Sequence, residues 1–188
     1  MIAKMDKRFW LFLAFFSLLL MVSSCSSYVK LNASRYIPKL GEGFERYRGT
    51  AVYVKVIKNV EHSWDWGYRS SDSSRVYYLA EKESIETYFY HCLEVAFNSV
   101  GVTVFKMPGG DSPRLSIEFT ELTGVIYVAR VSLENKLKVF NKSFIIAWPA
   151  YDHLDLKVLE ESAYKMIDRL VVDILRDQYF QKAFLGDA

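Results

Sequence analysis

The sequence predicts an α+β domain. It should hold a single mixed sheet of about four to five strands, in the order β-α-β-β-β-α, with two amphipathic helices packed on one face. Three observations predict this. Apolar residues alternate with period two in "TAVYVKVIKNV" and "RLSIEFTEL". Two later segments carry helical stripes of apolar residues, over 84–101 and over 156–179. The first strand and helix are followed at once by another strand, whereas the three strands after that are joined by short turns.

The chain opens on Lys4, Lys7 and Arg8, then runs apolar from Phe9 to Val22 with Ser17 as its interruption. That run is shorter than the roughly 20 residues of an ordinary membrane span and fits the core of a signal peptide. It ends in Val22-Ser23-Ser24-Cys25, which looks like the bacterial lipobox. In proteins with that motif the thiol takes a diacylglyceryl group, cleavage makes the cysteine residue one, and its amine is acylated. A thiol is needed for the thioether, and the small residues let the chain lie extended in the peptidase. The alternative is a plain signal peptide or an uncleaved anchor that happens to contain a cysteine. The expected division is 1–24 signal peptide, 25–48 lipidated Cys25 and tether, and 49–188 periplasmic domain. The tether reading rests on the mixed composition of "SSYVKLNASRYIPKLGEGFERYR"; as a flexible coil it would span roughly 25–30 Å.

In the domain, Thr50–Val60 is the first strand, with Val52, Val54 and Val56 on one face and Tyr53, Lys55 and Ile57 on the other. Val76–Ala80 reads as a short extra strand or as the lead-in to a helix. Ser84 is placed to cap that helix, whose stripe is Ile85, Phe89, Leu93, Ala96 and Val100, and Gly101 is placed to end it. Val102–Met107 is the second strand, giving a strand–helix–strand unit and hence a parallel pair. Arg114–Leu122 and the two runs flanking a turn at Asn135-Lys136 form a meander that Pro149 closes. The last helix runs from about Leu156 to Tyr179, with Ala163, Ile167, Leu170 and Ile174 buried.

Composition excludes several functions. The net charge of +2 comes from Lys4, Lys7 and Arg8 against Asp6; the rest is balanced, so no basic face offers itself to nucleic acid. His62, His91 and His153 are too scattered for a metal site. His91 and Cys92 are neighbours on a helix and point about 100° apart, so they make no dyad. With Cys25 lipidated, Cys92 is left as a small core residue. No catalytic residue, metal or cofactor is expected, and the chain reads as non-enzymatic.

The lipobox, the valine-rich strand, the helix "SIETYFYHCLEVAFNSVGVTVF", the strand "PRLSIEFTEL" and the C-terminal "FNKSFIIAWPAYDHLDLKVLEESAYKMIDRLVVDIL" together resemble the YajG-like family of small bacterial lipoproteins. More distantly, the order of elements is similar to that of the auxiliary lipoproteins of ABC-type envelope transport systems. The resemblance implies an α+β domain anchored in the outer membrane and facing the periplasm, with no established catalytic residues. Ser26, in place of Asp after Cys25, points to the outer membrane by the sorting rule of enteric bacteria.

The Trp-rich loop departs from the family pattern. In "SWDWGY", Trp64, Trp66 and Tyr68 alternate within a run rich in Ser, Asp and Arg. They either fold back over an apolar flank of the domain or present a partner-binding surface. Uncovered strand edges are a second docking option. The expected role is to bind or scaffold another cell-envelope component, with an envelope protein or an apolar ligand as the partner. The alternative is an accessory subunit of a lipid or solute transport complex, with an apolar ligand between helices and sheet.

Overall fold

The computed structural model describes residues 27–59, 67–69, 75–80, 83–109, 112–136, 138–149 and 155–186. Cys25, Trp64, Trp66, His62 and His153 lie outside the described residues, as does the signal-peptide segment. Tyr68 is described by its backbone.

The fold is α+β, and its main sheet is mixed. That sheet holds β2 (Ala51–Lys58), β5 (Thr103–Phe105), β6 (Arg114–Leu122), β7 (Ile126–Asn135) and β8 (Lys138–Ala147), in the order β5-β2-β6-β7-β8. As the strand–helix–strand pattern predicts, β2 and β5 are parallel. β2 is also parallel to β6 on its other side, and β6, β7 and β8 form the antiparallel meander. The turn after β7 places Lys136 at φ 50, the left-handed region.

Among the described residues three helices pack against one face of this sheet: α1 (Ile85–Ser99), α2 (Leu156–Arg176) and α3 (Gln178–Leu185). Ser84 caps α1, its side chain accepting from the Thr87 amide. Gly101 follows at φ +88, and a Cβ there would stand 2.8 Å from Arg48 Cγ, so both backbone and space demand glycine. Phe89, Leu93 and Ala96 of the expected stripe are fully buried, with Ile85 and Val100 partly buried at its ends. Tyr88, Cys92 and Phe97 widen that stripe. They meet Leu115, Ile117 and Phe119 of β6 and Tyr127, Ala129 and Val131 of β7 in one core. Phe89 packs on Phe119 at 4.2 Å between ring centroids and edge-on to Tyr127 at 5.7 Å. The opposite face of the sheet is mixed: Ser116, Ser132, Asn141 and Ser143 share it with exposed Val139 and Ile145, and Arg130 pairs with Glu118 at 3.3 Å.

Three expectations are corrected. The sheet is not single, because β1 (Ser27–Leu31), β3 (Gly67–Arg69) and β4 (Arg75–Ala80) form a second sheet in the order β1-β4-β3. Val76–Ala80 is therefore a strand and not the lead-in to the helix. Residues 27–48 are not a tether. Val29, Leu31, Tyr36, Leu40, Phe44 and Tyr47 are all buried, and short 3₁₀ turns at Ala33–Arg35 and Glu45–Tyr47 shape the path between them. Finally, the C-terminal helix does not run through Tyr179. Asp177 adopts an extended conformation (φ -66, ψ 121), and its carboxylate accepts from the Tyr179 and Phe180 amides, which ends α2 and caps α3.

Truncating Leu93, fully buried on α1, should cost about 2–5 kcal/mol. Urea unfolding of Leu93→Ala should show that loss, while Glu94→Ala, on the flank of the same turn, should stay within about 0.5 kcal/mol of wild type. Equal midpoints for both variants would contradict the packing described.

Candidate functional site

Once residues 27–48 are seen to be folded, their contacts with α2 define a concave polar region of the described surface. The segment after β1 crosses α2 and is fastened to it at successive turns. Arg35 Nη1 lies 3.3 Å from Glu160 Oε1. The Tyr164 hydroxyl lies 2.8 Å from Glu160 Oε1 and 3.0 Å from the Asn32 carbonyl oxygen. The Tyr36 and Tyr164 rings pack at 5.5 Å. At the floor, Tyr36 donates to Asp168 Oδ1 at 2.6 Å, and the Lys39 amide donates to the same oxygen at 3.2 Å.

Asp168 is 8% exposed, an uncommon position for a carboxylate. Burial raises its pKa above the ordinary value, against the opposing pull of the Tyr36 hydroxyl, the Lys39 amide and the Lys39 charge. The Tyr36 hydroxyl is in turn raised by burial and by the hydrogen bond to Asp168. The two groups hold each other in place. Above them opens a groove of about 410 Å³, bordered by exposed Ile37, Lys39, Lys157, Glu161 and Lys165. Because Glu160 and Asp168 are engaged inside, its rim is predominantly basic, with Ile37 as an apolar projection, 75% exposed. Such a surface suits recognition of an acidic or mixed polypeptide segment.

The other reactive groups are built for packing. Cys92 is fully buried, and burial pushes its thiol up to about 12, overriding the hydrogen bond with Tyr88 that works the other way. His91 Nδ1 is 2.8 Å from Glu83 Oε2, which ties the helix to the residue before its cap. Among the described residues no group of His, Cys, Asp or Glu could hold a metal ion, and no helix is long and apolar enough to cross a membrane.

Of the sequence-predicted site residues, Tyr68 alone falls on a described element. Its backbone pairs with Val76 in the β3–β4 ladder, so the Trp-rich segment leads into the edge strand of the small sheet. The groove was missed by sequence reasoning. Its signal was the recurrence of Tyr36, Leu40, Phe44 and Tyr47 in a stretch read as coil, too many large apolar residues for a solvated linker.

No protein-family model and no curated protein matches the chain. One solved structure, described as that of an uncharacterized protein, is similar at 17% identity and a TM-score of 0.49, over 79% of this chain and 97% of its own.

The buried carboxylate has a measurable consequence. Because the native pKa of Asp168 stands above its unfolded value, the native state keeps that proton longer, and stability falls as pH rises from the ordinary carboxylate range through the raised one. Asp177 acts in the opposite sense. Burial would raise it, but the hydrogen bond from Lys142 at 2.6 Å and the Phe180 amide outweigh burial and hold it low, so its contribution is lost as pH falls. Asp168→Asn keeps the Oδ1 acceptor for Tyr36 and Lys39. In urea titrations across that pH window it should remove the decline and be at least as stable as wild type at neutral pH. A decline of the same slope in both proteins would contradict this assignment.

Proposed function

We propose that this chain is a non-catalytic lipoprotein, anchored in the outer membrane through Cys25, whose periplasm-facing domain binds another envelope protein. The observation that carries the reading is the order of basic residues, apolar run and lipobox ending at Cys25. The family resemblance supports the same localisation. The groove over Asp168 supports the binding role, since its exposed rim combines lysines with a projecting isoleucine. A protein partner is favoured over an apolar ligand because the space between helices and sheet is filled by Phe89, Phe97, Met166, Ile167 and Phe119. The Trp64–Tyr68 stretch is a second candidate contact on sequence grounds.

Metabolic labelling with a clickable fatty acid should mark the wild type and leave Cys25→Ala unmarked; equal labelling would sink the lipoprotein reading. For the partner, a photo-crosslinking residue at Ile37 should give a discrete protein adduct in intact cells. Lys157→Glu with Lys165→Glu should abolish that adduct without changing the melting temperature. Adducts from position 64 in place of position 37 would move the binding surface to the Trp-rich loop.

A further inference from the structure

Cys25 stands two residues before Ser27, where β1 begins. Two backbone steps reach at most about 7–8 Å. A cysteine carrying acyl chains sits at the headgroup level of the bilayer. On the reading that Cys25 is the anchor, on which this inference rests, the small sheet starts within one short step of the lipid.

The topology places particular residues at that end. β1 and β4 are parallel with Ser27 opposite Val76, and β3 is antiparallel to β4 with Arg69 opposite Arg75. Two arginine positions therefore sit beside Ser27. Along the sheet, Val29, Leu31, Val76 and Tyr78 are buried in the core, which leaves Tyr28, Lys30, Tyr77 and Leu79 on the outer face. Tyr28 is 50% exposed and Leu79 is 40% exposed, and the Tyr28 and Tyr77 rings pack at 5.9 Å.

The outer face of the main sheet is mixed, with exposed Val139 and Ile145 beside Ser, Asn and a Glu–Arg pair, and its first strand begins only at Ala51. The outer face of the small sheet carries Tyr28, Lys30, Tyr77 and Leu79, none of them acidic, and its first strand is the one that follows Cys25 directly. Aromatic rings with a polar tip and long cationic side chains with apolar stems are the residues that settle at a headgroup layer. Their positive charge complements lipid phosphates.

We propose that the Ser27 end and outer face of the small sheet dock on phospholipid headgroups, so that the lipid anchor and this face together hold the domain in one orientation. The Asp168 groove begins past the far end of β1. A strand rises about 3.3 Å per residue, so Leu31 is about 13 Å further from the anchor than Ser27. Arg35 to Lys39 follow it.

The test uses the full lipidated chain in vesicles of phosphatidylethanolamine and phosphatidylglycerol. A nitroxide is attached at Tyr28→Cys, at Leu79→Cys or at Ile37→Cys; Cys25 is blocked by lipid and Cys92 is buried, so each carries one label. Collision rates with oxygen and with a water-soluble nickel chelate are read by spin-resonance saturation. At positions 28 and 79 the oxygen-to-nickel ratio should exceed that at position 37 several-fold. Water-like ratios at all three positions, in protein that floats with the vesicles, would overturn the docked face and leave the anchor standing. Protein that neither floats nor takes up the fatty acid would overturn the anchor and the docked face together.

Discussion

The structure depends on the fastening of residues 27–48 to α2. Tyr36 reaches the buried Asp168, Tyr47 donates to the Leu175 carbonyl at 2.5 Å, and Arg46 binds Gln181 at 2.8 Å across the junction with α3. Through these contacts Val29, Leu31, Leu40 and Phe44 are buried in the same core as α2. Each such side chain contributes about 1.5–3 kcal/mol when removed from water. Without these contacts a buried carboxylate would lose two donors, and an ionised carboxylate left unpaired in the interior is a costly thing to keep. The segment is thus one wall of the core.

That constraint joins fold to function. A chain folded from Ser27 onward leaves almost no slack behind Cys25, so an anchor there fixes height and orientation as well as attachment. The same segment supplies Arg35, Ile37 and Lys39 to the groove. On the proposed reading, anchoring surface and binding surface are the two ends of one structural element. The 3₁₀ turns and the left-handed Gly41 and Gly43 let the path bend sharply enough to bring Phe44 and Tyr47 back into the core.

The main sheet and its helices were legible in the sequence for physical reasons. β6 alternates from Arg114 to Phe119, as a strand with one buried face must, until a register shift between Phe119 and Glu121. α1 has a capping serine, a stripe and a terminal glycine that agree with one another. The small sheet was not legible. β1 and β3 are short, and β1 pairs with β4 across a long stretch of sequence, so no local period records the partnership. Pro38, Gly41 and Gly43 mark residues 36–47 as irregular, which is true, but irregular backbone can still be buried when its polar groups find partners. The break at Asp177 was open to reading, since Asp is a strong N-cap, but the apolar stripe runs on through Phe180 and masks it. The groove depends on contacts between residues far apart in the chain, Tyr36 with Asp168 above all, and no spacing rule reaches that far.

Hydrogen exchange of the full chain, resolved amide by amide, tests the fastening most directly. The account predicts that the amides of Val29, Leu31 and Tyr47 exchange as slowly as those of Met166 to Ile174 in α2, because all belong to one cooperative core. Exchange at the rate of an unstructured peptide throughout 27–48, beside a protected α2, would contradict it.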